Sequence, residues 1–334
     1  MRRVWSMRVP SMVIGVATFL TASTFGAGAP SAAVLEPSAT APSASAHASL
    51  AGDGTQPHLP DRLALRLGAQ MGVAHSPYPA PEAHTISGLL TALIVEGEGR
   101  VAPALAVQVR VPLALAGVDQ PAGGAHTSNA LGHPEGGIVW RPWASAATAL
   151  FARLGLALPI GSGDAALGRR PLANQALSLA SALHGWREEE LFAPGRLGLT
   201  AAARGEAAFD LGTAHAWRLD TFGEVKLPVM IAIDRGTPDP RTDVHRLAIS
   251  TVAGAGAALS WSRLRLGVAP WLAFHALPAA DIRDQPASRW ALFLVPDLTV
   301  RVTRQVGLSA GASLPLAGAL AGSTAVTLRA AAAW

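Results

Sequence analysis

Several short stretches carry residue types that could do chemistry. Residues 307–311 read GLSAG and match G-x-S-x-G, the turn that presents a nucleophilic serine between a strand and a helix. Ser309 would then need an acid and a histidine downstream to take its proton. No His, Asp or Glu follows it, and the stretch alternates like a strand, so Ser309 is read as a strand residue and no catalytic residue is assigned. Histidines are scattered, with His75, His84, His126, His133 and His184 in expected loops. None forms H-x-x-x-H or H-E-x-x-H, the spacings that aim two imidazoles at one metal. Residues 161–170, GSGDAALGRR, lack the Lys-Ser/Thr of a phosphate loop. The acidic run REEEL at 187–191, with PDPRTD at 238–243 and DIRD at 281–284, could hold divalent cations; it is read as solvated loop charge. No metal site and no cofactor is expected.

A second set of polar residues is more informative, because it recurs at period two inside apolar stretches. Leu63, Leu65, Leu67, Ala69, Met71 and Val73 share one face, with Arg66 and Gln70 on the other. Leu105, Val107, Val109, Val111, Leu113 and Leu115 oppose Gln108 and Arg110. Val225, Leu227, Val229 and Ile231 oppose Glu224 and Lys226, and Leu292, Leu294, Leu298, Val300 and Val302 oppose Asp297 and Arg301. Alternation is the strand signature. If the apolar face meets lipid, Arg66, Gln70, Gln108, Arg110, Arg153, Glu224, Lys226, Arg265, Asp297, Arg301 and Arg329 line a lumen, since an outward Arg or Lys costs ~2–4 kcal/mol near the bilayer midplane. Bases outnumber acids in this set. It would either plug the barrel by cross-lumen salt bridges or line a narrow path that favours anions.

Twelve strands are expected, near 62–74, 85–96, 102–115, 136–142, 147–160, 207–219, 223–234, 245–260, 263–276, 289–302, 305–316 and 324–334. They are longer than the ~5–6 residues of ordinary sheets. Short connections alternate with longer ones, including 116–135 and 161–206, as in outer-membrane barrels. Trp140, Trp143, Trp217, Trp261 and Trp334 fall at strand ends on the short-turn side, where a girdle of indoles would sit at one lipid–water interface. The fold class is therefore all-β: an antiparallel transmembrane β-barrel of about twelve strands, within a range of ten to fourteen, closed by the C-terminal strand. Prolines 112, 159, 228, 270, 296 and 315 stand against it, since proline removes a ladder donor.

Composition fits this class. The 334 residues are 50% hydrophobic and 14% charged, yet beyond the first 30 no run approaches the ~18 apolar residues of a membrane helix. Arg2, Arg3 and Arg8, then apolar residues 12–20, then small residues, form a secretory signal with cleavage expected between 27 and 33. With 26 Lys and Arg against 22 Asp and Glu the net charge is +4; the three signal arginines leave +1, so no nucleic-acid partner is expected. Zero cysteines exclude disulfides and an N-terminal lipid-modified cysteine. The expected domains are a signal peptide at 1–33, a Ser/Ala/Pro-rich linker at 34–60 and the barrel at 61–334.

Two resemblances add to this reading. The ending, with Val326, Leu328, Ala330, Ala332 and Trp334 in alternation, resembles the C-terminal strand of Gram-negative outer-membrane proteins. That implies the barrel-assembly machinery as a partner and outer-membrane lipid as surroundings. The recurrent VPLA, LPIG, LPVM and LPLA motifs, with ALGHPEGGIVWRP before RLGLALPIGSGD, loosely resemble FadL-like and phenol-degradation-operon transporter barrels. That likeness implies passage of small molecules; neither a FadL-type hatch nor a peptidoglycan-binding domain is seen, so the solute is not carried over. The expected function is passive passage across the outer membrane, gated by loop 161–206. The alternative is a structural or adhesive barrel with a plugged lumen, acting through its outer loops. An outer-membrane hydrolase would need converging Ser, His and Asp at the outer rim, which the sequence does not offer.

Overall fold

The period-two stretches form a closed antiparallel wall. The computed structural model describes residues 60, 62–76, 86–120, 124–160, 170–212, 217–233, 247–278 and 289–334; the expected signal segment and nearly all of the expected linker lie outside them. The strands are β1 (Leu63–Ser76), β2 (Ile86–Ala102), β3 (Leu105–Gln120), β4 (Gly124–Leu131), β5 (Glu135–Ala144), β6 (Thr148–Ala157), β7 (Arg196–Asp210), β8 (Trp217–Ala232), β9 (Leu247–Trp261), β10 (Leu264–Leu277), β11 (Trp290–Arg301), β12 (Val306–Gly318) and β13 (Thr324–Ala333). Each pairs with its neighbours, β2 with both β1 and β3, and β1 pairs with β13, from Ala64 opposite Ala333 to Val73 opposite Thr324. The ring has twelve strands, and β4 is the thirteenth, an extension of the β3 edge.

β4 and β5 act as one interrupted strand. Leu105–Arg110 of β3 pair with β5, and Leu113–Gln120 pair with β4. The switch falls at Pro112, opposite the irregular Gly132–Pro134, and the Gly132 amide donates to the Pro112 carbonyl at 2.9 Å. The other prolines also sit where the ladder is broken. Pairing skips two positions beside Pro228 on the β9 side, beside Pro270 on the β9 side, and beside Pro296 on the β12 side. Pro315 lies at the β11–β12 register shift. A missing N–H is tolerated where no partner carbonyl is offered, so the prolines punctuate the wall rather than contradict it.

The two faces invert the usual sorting. Val109, Val225 and Leu266 are 51%, 53% and 61% exposed, while Glu98, Arg110 and Arg204 are 1–2% exposed. A soluble sheet hides its aliphatic face; this one hides its charges.

Two expected boundaries are corrected. Residues 116–135 are not a long loop: β3 runs to Gln120 and β4 fills 124–131. Its text, GAHTSNAL, has no aliphatic alternation to read. The strand expected at 207–219 is instead β7 at Arg196–Asp210, and Trp217 already begins β8. Its middle, TAAARGEAA, carries alanine on both faces, so alternation has no contrast there.

Of the expected loop 161–206, residues 170–195 fold inward. Helix α1 (Arg170–Leu183) and the single turn α2 (Glu189–Phe192) lie inside the barrel. Ala176, Leu177, Leu179, Ala180 and Leu183 pack on inward alanines of the wall, among them Ala74, Ala92, Ala114, Ala116 and Ala130. Small wall residues leave the width that a helix needs. After α1 the chain turns through Gly185 and Trp186, both left-handed, at φ 65° and 60°. A Cβ on Gly185 would meet the Phe293 ring at 2.8 Å, so only glycine fits there.

The face assignment has a direct test. Val225→Arg, on the exposed face of β8, is expected to lower unfolding free energy in lipid vesicles by about 2–4 kcal/mol, read by urea titration; a neutral result would overturn the outward orientation of that face.

Candidate functional site: the charged interior and its plug

The interior chemistry is built by strand register. Arg66, Glu96, Arg110 and Glu135 stand opposite one another across β1, β2, β3 and β5. Alternate signs on adjacent strands are mutually favourable. Arg66 pairs with Glu96 and, at 3.0 Å, with Glu98; Arg110 reaches Glu96 at 3.5 Å and Glu135 at 3.2 Å; Arg153 on β6 also pairs with Glu135. Across the barrel, Arg204 donates to Glu224 at 2.9 Å, and Arg265 reaches Asp297 at 3.4 Å and Asp220 at 3.9 Å. Gln70 and Gln108 are buried; Arg301 and Arg329 are half-buried. The side-chain oxygens of Gln70, Gln108 and Thr327 take no protein hydrogen bond among the described residues.

The plug docks onto this wall by charge. Glu188 accepts from Arg110 and lies 3.1 Å from Lys226; Glu190 lies 2.6 Å from Lys226 and 3.7 Å from Arg110. Lys226 also donates to the Arg187 carbonyl. Ser250 donates to Glu189 at 2.7 Å. Arg187 lies over the Trp271 ring, and Trp186 meets His275 edge-on at 4.2 Å. The His133 amide donates to the Leu191 carbonyl at 2.7 Å, which ties the β4–β5 break to the plug.

The expectation that 187–191 is solvated loop charge is therefore corrected: Glu188, Glu189 and Glu190 are buried. His133 and His184, expected in solvated loops, are buried too. Carboxylates can be buried when cations meet them, and β3 and β8 supply Arg110 and Lys226. Nothing local to REEEL encodes those partners. Glu96 and Glu98, which the sequence reading passed over, were findable, because they continue the inward period of Ala92.

Around the plug, Arg66, Arg110, Arg153 and Lys226 face Glu96, Glu98, Glu135, Glu188 and Glu190. Among these described ion pairs four cations thus meet five carboxyls. Burial, reinforced by Glu188 and Glu135 against the pull of Lys226 and Arg110, pushes the Glu190 carboxyl up to about 7. Burial acts on Glu188 in the same direction, but Arg110, Lys226 and Arg153 together outweigh it and hold that carboxyl well below the ordinary range. Burial takes His184 down to about 3, so it is docked as a neutral ring.

Ser250, His275 and Glu189 converge, yet not as a hydrolytic triad. Ser250 Oγ and Glu189 Oε2 both approach Nδ1 of His275, at 3.2 and 3.4 Å. A triad needs the serine on one ring nitrogen and the acid on the other. Ser309 lies inside β12. Among the described residues no group of acids and histidines is arranged to hold a metal.

Trp140, Trp143, Trp261 and Trp334 are exposed and Trp217 is half-buried. All five stand at the end of the wall bearing the β5–β6, β7–β8 and β9–β10 turns. The rings of Trp217 and Trp261 stack at 5.6 Å.

No family model matches the chain, and no curated protein matches it. Solved structures do. An outer membrane channel from Pseudomonas putida F1 superposes with a TM-score of 0.52 at 12% identity, over 85% of this chain and 100% of the other. The transport unit of the autotransporter AIDA-I from Escherichia coli superposes with a TM-score of 0.50 at 13% identity, over 87% and 94%. At these identities the likeness is one of fold: the chain has the closed antiparallel architecture of outer-membrane β-barrels.

Proposed function

We propose that the chain is a barrel of the Gram-negative outer membrane that lets small molecules pass, with residues 170–195 as its gate. The carrying observation is the docking of that segment. It is held inside the barrel by ion pairs to Arg110 and Lys226, in an interior lined by polar and charged side chains such as Gln70, Gln108 and Thr327. An apolar seal has no chemical trigger, whereas a buried ion pair loses its hold when one partner changes protonation. The channel named among the similar structures supports the same reading, as does the loose resemblance of short motifs to FadL-like and phenol-degradation-operon transporter barrels. So does the five-tryptophan rim, as an interfacial girdle at the periplasmic side. Export by the N-terminal segment and assembly through the C-terminal strand belong to this proposal. In the alternative, the plug never leaves and the barrel serves as a scaffold for its outer loops.

Planar-bilayer recording separates the two. The full chain is expected to show brief, small openings, and a variant with residues 170–192 replaced by a short Gly/Ser linker is expected to show larger, steady steps. A heat-modifiable variant that inserts and stays silent would favour the scaffold.

The gate is expected to titrate. Glu190 holds its proton to about 7 when docked and releases it near 4.3 when free, so rising pH weakens docking until about 7. Glu188, held low when docked, contributes stability above its ordinary value that is lost as pH falls. His184, neutral when docked, also opposes docking below about 6.5. Tryptic cleavage after the buried Arg187 reads release. Glu190→Gln is expected to slow that cleavage at pH 8 by at least about ten-fold, the factor carried by one pK unit, and by less at pH 5. Equal effects at both pH values would refute the assignment.

A further inference from the structure

The plug's clamp puts two carboxylate oxygens between the same two cations. Glu188 Oε2 lies 2.5 Å from Nη2 of Arg110 and 3.1 Å from Nζ of Lys226. Glu190 Oε1 lies 3.7 Å from Nη1 of Arg110 and 2.6 Å from the same Nζ. The two outer nitrogens of one guanidinium thus take one carboxyl each, and one ammonium bridges both. Glu189, between them in sequence, accepts from Ser250 of β9 at 2.7 Å. Arg110 stands on β3 and Lys226 on β8, with β5, β6 and β7 between them in the ring. The two cations therefore meet across the interior, not along a ladder.

The wall does not satisfy these cations equally. Arg110 also meets Glu96 at 3.5 Å and Glu135 at 3.2 Å, both on strands. Among the described residues, every hydrogen-bond and ion-pair partner of Lys226 belongs to the plug: the Arg187 carbonyl, Glu188 and Glu190. Its register neighbours, Ala202 and Val252, offer no side-chain acceptor. Glu224, two residues along the same face, is taken by Arg204 at 2.9 Å. When the plug lifts, Arg110 keeps strand carboxylates and Lys226 keeps none of its partners. The cations and the Ser250 hydroxyl then present directed donors to the lumen, and nothing on the plug is needed to hold them in place, since each belongs to a strand.

We propose that Arg110, Lys226 and Ser250 form a binding site for small dicarboxylates, and that Glu188 and Glu190 occupy it in the closed barrel as a tethered stand-in for that ligand. A dicarboxylate with a short carbon linker offers one carboxyl to each arm of the guanidinium fork and both to the ammonium, as the plug does. Ligand and plug exclude each other, so the solute releases its own gate. The inference rests on the passage reading above and names its solute class. A tethered competitor acts at an effective concentration on the order of millimolar, which sets the free ligand needed to displace it.

The test uses the refolded full chain in detergent at pH 8, with sodium succinate as the probe and ionic strength fixed with sodium chloride. Tryptic cleavage after Arg187 reads release. Succinate is expected to speed it saturably, by about five-fold or more, with its half-effect on the order of millimolar; the neutral diamide succinamide is expected to leave it unchanged. Glu188→Gln weakens the competitor without touching the site, so half-saturating succinate in calorimetric titration is expected to fall about ten-fold. Adding Lys226→Gln to that variant is expected to raise it again by at least about ten-fold, whereas adding Arg304→Gln, in the exposed β11–β12 turn, leaves it unchanged. Heat-modifiable migration establishes that each variant is folded, and the succinate-against-succinamide comparison on the unaltered chain stands without any variant. Cleavage that succinate does not speed, or that succinamide speeds equally, overturns the site, as does equal weakening by Lys226→Gln and Arg304→Gln. In bilayers, succinate is expected to lengthen the openings of the full chain. Openings that succinate leaves unchanged overturn the site alone; silent barrels whose plug succinate still releases overturn only the passage reading.

Discussion

A sheet of period two that closes on itself has no third place to put a side chain. Every residue faces either the outside or the interior, and the interior of a twelve-stranded ring is too narrow to dilute charge with bulk water. Once the aliphatic residues take the outer face, all of the wall's charges converge within reach of one another. The rest of the structure follows from that confinement: signs alternate across β1, β2, β3 and β5, glycines and alanines clear space, and the remaining imbalance is met by a segment from elsewhere in the chain.

The plug answers an electrostatic need as well as a steric one. Without it, among the described ion pairs, Arg66, Arg110, Arg153 and Lys226 keep Glu96, Glu98 and Glu135. Two carboxyls two residues apart are thus pushed in opposite directions although they share the same two cations, Glu190 up and Glu188 down. The apolar half of docking is separate: α1 lies on an alanine-lined wall, where burial is favourable but not directional.

Much of the wall could be read from alternation, because each strand's two faces differ in chemistry. That is why β1, β3, β8 and β11 emerge from Leu63–Val73, Leu105–Leu115, Val225–Ile231 and Leu292–Val302. Reading fails where the contrast vanishes, in the alanine-rich middle of β7 and the polar β4. It fails more completely for the plug. REEEL is indistinguishable from solvated charge until register brings Arg110 and Lys226, which are 116 positions apart in sequence, to the same height. Pro112 and Pro296 looked like objections for the same reason: whether a proline breaks a ladder depends on whether the neighbour offers a carbonyl there.

The seam between β1 and β13 has a kinetic side. Ala64 and Ala333 are joined only after nearly the whole wall has been laid down between them. Bringing such distant ends together costs about 5 kcal/mol of chain entropy, by the logarithmic law for loops, before any ladder bond rewards it. Neighbouring hairpins carry far smaller closure terms. Entropy therefore favours zipping from hairpin to hairpin, with the seam last. The segment between β6 and β7 meets its alanine-lined bed while the sheet is still an open trough, so the wall curls around the plug as a hand closes on a handle.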